Sequence, residues 1–458
     1  MTDRVALLRR SVEAVARRKH PERLLEGDEA IAFLTQGGIR YGRVCLKSGT
    51  VFGFTQAGAT AIATLASELR QADAAYKRGS SLPAFAAAAA GKILDRLGEA
   101  AASTITADDL ATLEADLRVW FGEAAIPRTH YVPCAVIAER VSPFAVGPVT
   151  FVHSSELATH TRWLVAPELA EVTLSPLYQA LAERAATWVA IVEVSSSDPA
   201  LSSERADLAV DVALAAIQLV VPPAYGRPIS RVTGRTIPAW RGNLFVADGQ
   251  VTTGIENKEA GHGLSGSAFE QMLGNGSDVL VSAGKSIGTF LTGLGELTTL
   301  RQAWCDGAYW FHEALLEPLG TVASTKFETA VEALLRAEST PGSEARIKTA
   351  VKALTGLAPK DLLPGSLTLT VEKFAKELVA ARSRVLHGTL STLLADVTAE
   401  RDSLAHLARD LLLLLGVHLD AFEASSDAKD DRDSLLAWVD AARTAASRPI
   451  HAAKGDTT

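Results

Sequence analysis

The residue types best suited to chemistry lie together in one short segment, ELVAARSRVLHGTLS, at positions 377–391. Arg382 and His387 are separated by four residues, Ser383 directly follows the arginine, and Gly388 follows the histidine. Histidine accepts and returns a proton near neutral pH. The permanently charged guanidinium of arginine stabilises negative charge that develops on a phosphate. Together these groups suit cleavage of a phosphodiester by a neighbouring 2′-hydroxyl, a reaction that requires no metal ion.

The spacing of the two charged residues has two interpretations. A five-residue step on an α-helix rotates by about 140°, so the side chains of Arg382 and His387 converge only at a helix edge. Ser383 and His387, at positions i and i+4, share one face. The alternative is an ordinary surface arginine followed by a His387-Gly388 pair that ends a helix. Because the spacing is common in proteins, taken alone it favours this second interpretation.

Two glycine-containing segments match phosphate-binding motifs only in part. Residues 261–266, GHGLSG, fit the pattern GxGxxG, but the polar residues 256–260 precede them where a buried strand is required. We therefore expect a loop there. Residues 282–286, SAGKS, end like a phosphate-binding loop, but the position of its first glycine holds Val279.

The sequence contains no spacing typical of metal ligands or of paired cysteines. His312 and Glu313 begin an HExxH pattern, but Leu316 stands where the second histidine belongs. The three cysteines, Cys45, Cys134 and Cys305, lie far apart without paired spacing, and their odd number is typical of a reducing compartment. We therefore expect neither a metal site nor a cofactor.

The composition indicates a globular protein of more than one domain. The chain has 458 residues, 48% of them hydrophobic and 21% charged. A net charge of -8 argues against a broad basic surface for nucleic acid, although a local basic cleft for RNA remains compatible with it. The first twenty residues predict an amphipathic helix and not a signal peptide. Residues 411–417, the most apolar run, are too few for the roughly 20 residues that span a bilayer, so we expect a cytoplasmic protein without membrane association.

The hydrophobic pattern divides the chain into three regions and a tail. Residues 1–125 predict mostly helices with a β-hairpin over 38–56, and residues 126–296 predict a mixed α/β unit. Strands are expected at 131–138, 148–153 and 188–194, and a hairpin with a type I′ turn at Asp248-Gly249. We expect Trp163, Trp188, Trp240 and Phe245 in the core.

The C-terminal region, residues 297–450, predicts an all-α helical bundle, and residues 451–458 a disordered tail. An acidic loop is expected over 427–433. The predicted helices cover 298–317, 322–338, 343–357, 370–380, 382–398, 401–421 and 433–447. The predicted fold class is thus an α+β N-terminal region of mixed helices and short strands, followed by an all-α C-terminal domain.

This C-terminal region resembles the HEPN superfamily, and within it the ApeA-like group, in which an α/β region precedes a C-terminal HEPN domain. The resemblance covers residues 297–450 and rests on the helix order LRQAWCDGAYWFHEALLE, STKFETAVEALLRAE, ARIKTAVKALTGL and ARSRVLHG. Phe327 and residues 330–334 are similar to the family's second helix. The family signature is Arg-x4-6-His with a polar residue after the arginine. Arg382, Ser383 and His387 match it, with serine where asparagine or aspartate is commoner.

The resemblance implies a metal-independent endoribonuclease that forms a homodimer through its HEPN domain, so that two copies of the motif face one cleft. His387 would move the proton, Arg382 would stabilise the phosphate charge, and Ser383 would orient the cleft. Glu332 would orient His387 or Arg382, and Arg384 would add a phosphate contact; the alternative for both is an ordinary solvated helix face. The family also implies a role in antiphage defence or stress-induced growth arrest, with residues 1–295 as a sensor for an unknown trigger or regulator.

Two alternatives remain open. In one, the HEPN domain is a non-catalytic dimerisation or binding module. In the other, the protein is structural or regulatory and its bundle is only generically similar.

Overall fold

The computed structural model describes residues 3–19, 40–45, 50–160, 167–233, 240–336, 340–363, 369–387, 389 and 391–446. The predicted mixed α+β character and the helical C-terminal region are confirmed. The chain forms two compact units, one of residues 1–128 and 194–205, the other of residues 129–193 and 206–458. The boundary predicted at 296 falls within the second unit, and the tail 451–458 lies outside the described residues.

The first unit combines a three-stranded antiparallel sheet, in the order β1-β3-β2, with helices. Its elements are α1 (Arg4–Glu13), β1 (Val15–Lys19), β2 (Arg40–Cys45), β3 (Thr50–Phe54), α2 (Gln56–Ala72), α3 (Ala74–Gly79), α4 (Leu82–Leu97) and α5 (Ala107–Ala124). The predicted hairpin is confirmed by the pairing of Cys45 with Thr50. The helix predicted over the first twenty residues is wrong beyond Glu13, because β1 instead pairs with the free edge of β3.

A five-stranded sheet with the order β5-β6-β7-β4-β8 begins the second unit. Its strands are β4 (Arg128–Ala135), β5 (Phe144–Val146), β6 (Val149–His153), β7 (Trp188–Val194) and β8 (Ser230–Arg231). The helices between and after them are α6 (Leu157–His160), α7 (Pro167–Glu183), α8 (Pro199–Val220) and α9 (Pro223–Gly226). Trp188 is fully buried, as predicted, and its indole Nε1 donates to the Ile137 carbonyl at 2.8 Å. Trp163 lies outside the described residues.

The second hairpin consists of β9 (Trp240–Ala247) and β10 (Gln250–Asn257). Asp248 and Gly249 both have positive φ, 50° and 76°, which confirms the type I′ turn. The prediction that Trp240 and Phe245 are core residues is wrong: they are 62% and 57% exposed. One face of this two-stranded ribbon carries exposed apolar side chains, namely Trp240, Leu244, Val246, Val251 and Ile255. Nothing in the local sequence signals that no second layer covers them.

The remaining helices are α10 (Gly266–Asn275), α11 (Ser277–Thr292), α12 (Thr298–Leu315), α13 (Gly320–Leu335), α14 (Thr340–Thr355), α15 (Val371–Leu386), α16 (Thr398–Glu423) and α17 (Arg432–Ala446). Helix α13 packs against α12, α15 and α16, with Phe327 fully buried in its centre. Among the described helices, none has the length and apolar character needed to cross a membrane.

One helix differs from its prediction in a way that matters for the candidate site. The predicted break at residue 381 is wrong, since α15 runs without interruption from Val371 to Leu386. The helix predicted over 382–398 is also wrong after Leu386. The chain turns there because the backbone N–H and hydroxyl of Thr389 both donate to the Arg384 carbonyl, at 2.9 and 3.1 Å. These bonds satisfy a carbonyl that the end of a helix leaves without an internal partner.

Buried ionic and capping contacts fix the bundle at one end. Arg301 of α12 is 1% exposed, and its Nη2 lies 2.8 Å from Asp420 and 2.7 Å from Glu423 of α16. The carboxylate of Asp430 accepts hydrogen bonds from the backbone N–H groups of Thr299 and Leu300, at 2.8 and 2.9 Å. Part of the predicted acidic loop therefore caps the N-terminus of α12.

Candidate functional site

The sequence motif lies at the C-terminal end of α15. Arg382 and Ser383 are in the last turns of this helix, and His387 occupies the turn directly after it. The side chains of His387 and Arg384 are exposed, so both groups are accessible to a macromolecule. The side chains of Arg382 and Ser383, and the whole of Gly388, lie outside the described part of the structure.

Glu332, the supporting acid singled out from the sequence, lies on α13, the helix that packs against α15. Its Oε1 accepts a hydrogen bond from the Ser343 hydroxyl of α14 at 2.6 Å, which holds the carboxylate between α13 and α14. Glu328 lies one turn earlier on α13 and is only 1% exposed. A carboxylate so deeply buried requires a hydrogen-bonding or charged partner. In the sequence, Glu328 is marked only by its position four residues before Glu332 and directly after the apolar Phe327.

A second feature, which the sequence pattern did not indicate, is a cavity of about 940 Å³ within the second unit. Six parts of the chain line it: Gln218 of α8, α9 with the residues after it, the base of the β9–β10 hairpin with residues 258–262, α12 with the residues after it, α13 and α16. Its ionisable lining residues are Arg227, Glu256, Lys258, Glu259, His262, Arg401, Asp402, His406 and Arg409. Its apolar and aromatic lining includes Tyr225, Trp240, Phe311, Leu315, Pro318 and Phe327.

One face of α16 supplies a wall of the cavity. Arg401, Ala405 and Arg409 recur every four residues, and Asp402 and His406 form the neighbouring row. This spacing places all five on one side of an α-helix. The adjoining side is apolar and faces the bundle, with buried Leu404, Ala408, Leu411, Leu412 and Leu415. The spacing of polar residues in the sequence predicts a polar face on this helix, but it does not predict that the face lines a cavity.

Two arginines of the cavity, Arg227 and Arg401, lie near each other and are only partly neutralised. Arg227 is half-buried, and its Nε donates to the Leu315 carbonyl at 3.2 Å. Burial and the nearby charge of Arg401 lower the pKa of the Arg227 guanidinium, against the partial compensation of Asp402 and Glu256. Arg401 forms no ion pair with the described residues. Arg409 donates from Nη2 to the Leu219 carbonyl at 2.7 Å, and its buried Nε has no hydrogen-bond partner among the described atoms.

Gln218, which lines the cavity, belongs to a buried network of polar side chains. The Gln218 side-chain N–H groups donate to the carbonyls of Gly226 and Ile229, at 3.0 and 2.9 Å. Its oxygen therefore faces His312 Nδ1, 2.8 Å away, and that nitrogen must donate. His312 Nε2 lies 3.7 Å from Asp211. The first histidine of the incomplete HExxH pattern thus lies in a polar network that joins α8 to α12.

The two glycine motifs lie where neither offers a phosphate site. The backbone N–H of Gly266 already donates to the Glu139 carboxylate at 2.7 Å, and residues 261–264 form the expected turn. Residues 282–286 lie inside α11, where Lys285 pairs with Asp420 at 2.8 Å. Among the residues that the structure describes, no group of three or more His, Cys, Asp or Glu is placed to share a metal ion.

The segment after His387 leads to the end of the bundle where the cavity lies. The Thr392 carbonyl accepts a hydrogen bond from the Thr321 hydroxyl, in the first turn of α13, at 2.8 Å. Leu316 and Pro318, just before that turn, line the cavity. Residues 391–397 then enter α16, whose first turn supplies Arg401. Residues 391–401 thus lead from the candidate motif to the wall of the cavity.

Comparison of the chain with models of known families, with curated proteins and with solved structures finds no match. Its function is therefore inferred from its own residues and geometry.

Proposed function

We propose that this protein is a metal-independent endoribonuclease of the HEPN type. The observation that carries the proposal is the placement of His387. It is exposed in the turn that directly follows α15, the helix that bears Arg382, with the exposed Arg384 one turn away. A proton-transferring group and a cation, here His387 and Arg384, at one accessible helix end are what a phosphodiester substrate requires.

In the proposed reaction, the 2′-oxygen of a ribose attacks the adjacent phosphorus as His387 accepts the 2′-hydroxyl proton. The bond from phosphorus to the 5′-oxygen breaks, and a protonated histidine returns a proton to that oxygen. The products are a 2′,3′-cyclic phosphate and a 5′-hydroxyl. Arg382 stabilises the charge on the phosphorane, and Ser383 orients the cleft. A second copy of the chain supplies the other histidine across a two-fold cleft, so the active form is a homodimer.

Cleavage of cellular RNA would stop growth, so the proposal extends to antiphage defence or stress-induced growth arrest. The N-terminal region, residues 1–295, would then respond to a trigger or regulator.

The proposal is tested with purified wild-type protein, labelled single-stranded RNA and EDTA in the buffer. We expect cleavage by the wild type and about 10²- to 10⁴-fold slower cleavage by His387→Ala, the range for loss of a general acid–base group. DNA of the same sequence should stay intact, because it lacks the attacking hydroxyl. His160→Ala is the matched control, since His160 is also exposed at a helix end and should be dispensable. Equal cleavage by His387→Ala and wild type would refute the assignment.

The cationic cavity favours a second candidate, a ligand-binding module without catalysis. It predicts that RNA stays intact with the wild-type protein, with or without divalent metal ions. The same labelled-RNA assay therefore separates the two functions.

A further inference from the structure

The cavity has charge properties that an empty, water-filled pocket explains poorly. Arg227 and Arg401 lie close enough for their charges to repel, and Arg227 is half-buried. Asp402 and Glu256 of the lining offset this repulsion only in part, so the site favours a further anion. Arg409 adds a third guanidinium, whose buried Nε lacks a partner among the described residues.

We infer that the cavity binds a phosphate-bearing small molecule with an aromatic group, of the class of nucleoside phosphates. The guanidiniums of Arg227, Arg401 and Arg409 bind the phosphate oxygens. Planar guanidinium groups suit this role because each can donate two hydrogen bonds to one phosphate. This site is separate from His387, so the inference goes beyond the proposed nuclease and names the ligand class that the second candidate function leaves open.

The rest of the lining fits the aromatic part of such a ligand. Phe311, Leu315 and Phe327 form an apolar wall, and Trp240 and Tyr225 offer ring faces on which a base can stack. The Asn257 amide donates to His262 Nδ1 at 3.0 Å, so the Nε2–H of His262 is left as a donor at the same edge. Apolar walls with a few convergent polar groups are typical of small-molecule sites.

The shape favours a small molecule over a nucleic-acid strand. The cavity of about 940 Å³ is lined by six parts of the chain and lies at the upper end of the 300–1,000 Å³ typical of small-ligand pockets. A strand of RNA needs a groove along which its backbone can continue. Ala405 is the smallest side chain on the α16 face, and a larger side chain there would occupy the ligand's space.

The inference is tested by isothermal titration calorimetry on the full-length protein with ATP, GTP, AMP, adenosine, inorganic pyrophosphate and an eight-nucleotide RNA. We expect at least one nucleoside phosphate to bind more tightly than both adenosine and pyrophosphate. Arg401→Gln should weaken its binding by about 10- to 100-fold, the range for a lost charge-assisted hydrogen bond. Ala405→Trp should abolish binding by filling the cavity.

Two control variants accompany the titrations. Arg118→Gln removes an exposed arginine of the first unit and should bind the nucleotide as wild type does. His387→Ala should do the same, which separates failure of this inference from failure of the proposed nuclease. Circular dichroism confirms that each variant is folded. The inference is overturned if no nucleotide binds, if only the RNA binds, if adenosine or pyrophosphate binds as tightly, or if folded Arg401→Gln and Ala405→Trp retain full affinity.

Discussion

Replacing Arg301 with methionine is expected to destabilise the helical bundle strongly. Arg301 is 1% exposed, and its Nη2 binds both Asp420 and Glu423. Its Nη1 also donates to the Ser286 hydroxyl at 3.2 Å. Methionine fills a similar volume but leaves the two carboxylates facing each other without their shared cation.

The size of the effect follows from burial. Removing one partner of a buried ion pair typically costs about 3–5 kcal/mol. Asp420 and Glu423 remain about a quarter exposed, so water reaches them in the variant and favours the lower end, about 3 kcal/mol. Lys285 binds the same Asp420 at 2.8 Å but is 51% exposed. Lys285→Met should therefore cost only about 0–1 kcal/mol and is the matched control.

Urea titration followed by circular dichroism measures both variants at pH 7. The midpoint should fall clearly for Arg301→Met and stay near wild type for Lys285→Met. If the two variants lose equal stability, or if Arg301→Met unfolds at the wild-type urea concentration, the energetic reasoning is wrong.

Acid titration provides an independent check of the same network. Burial alone would raise the pKa of Asp420, but hydrogen bonds from Lys285 and Arg301 outweigh it and hold the pKa below its usual value of 3.8. A lowered folded-state pKa means that the contribution is complete above pH 3.8 and is lost as the pH falls through the folded-state pKa. The stability difference between wild type and Arg301→Met should therefore persist at neutral pH and shrink below about pH 3.8.

Two further predictions concern the same bundle and its cysteines. Asp430→Ala removes the cap of α12 and should lower the free energy of unfolding, measured by urea titration, by about 1–2 kcal/mol. Asp427→Ala, in an exposed part of the same loop, should leave that free energy unchanged. Equal effects of the two variants would contradict the capping role. Burial raises the pKa of the Cys134 and Cys305 thiols, so neither should react with iodoacetamide at pH 7 in the native state and both should react in urea, as peptide mass spectrometry would show. Rapid native alkylation of either thiol would contradict its burial.

Local patterns were sufficient to predict many elements. The helices of the C-terminal region follow from apolar residues spaced three and four apart, and the type I′ turn follows from Asp248-Gly249. Both depend on residues adjacent in sequence, whose conformational preferences act whatever surrounds them. The motif Arg382 to His387 is local in the same sense, and its chemistry stays a prediction until RNA cleavage is measured.

Partners distant in the sequence decided the rest. Residues 15–19 form a strand because the edge of β3, which lies further along the chain, is available to them. Trp240 is exposed because no described layer covers its hairpin. The cavity depends on bringing Arg227 beside Arg401, two residues from separate regions of the chain. A sequence pattern records which residue types recur along a chain, but the burial and repulsion of those two charges exist only once the fold brings them together.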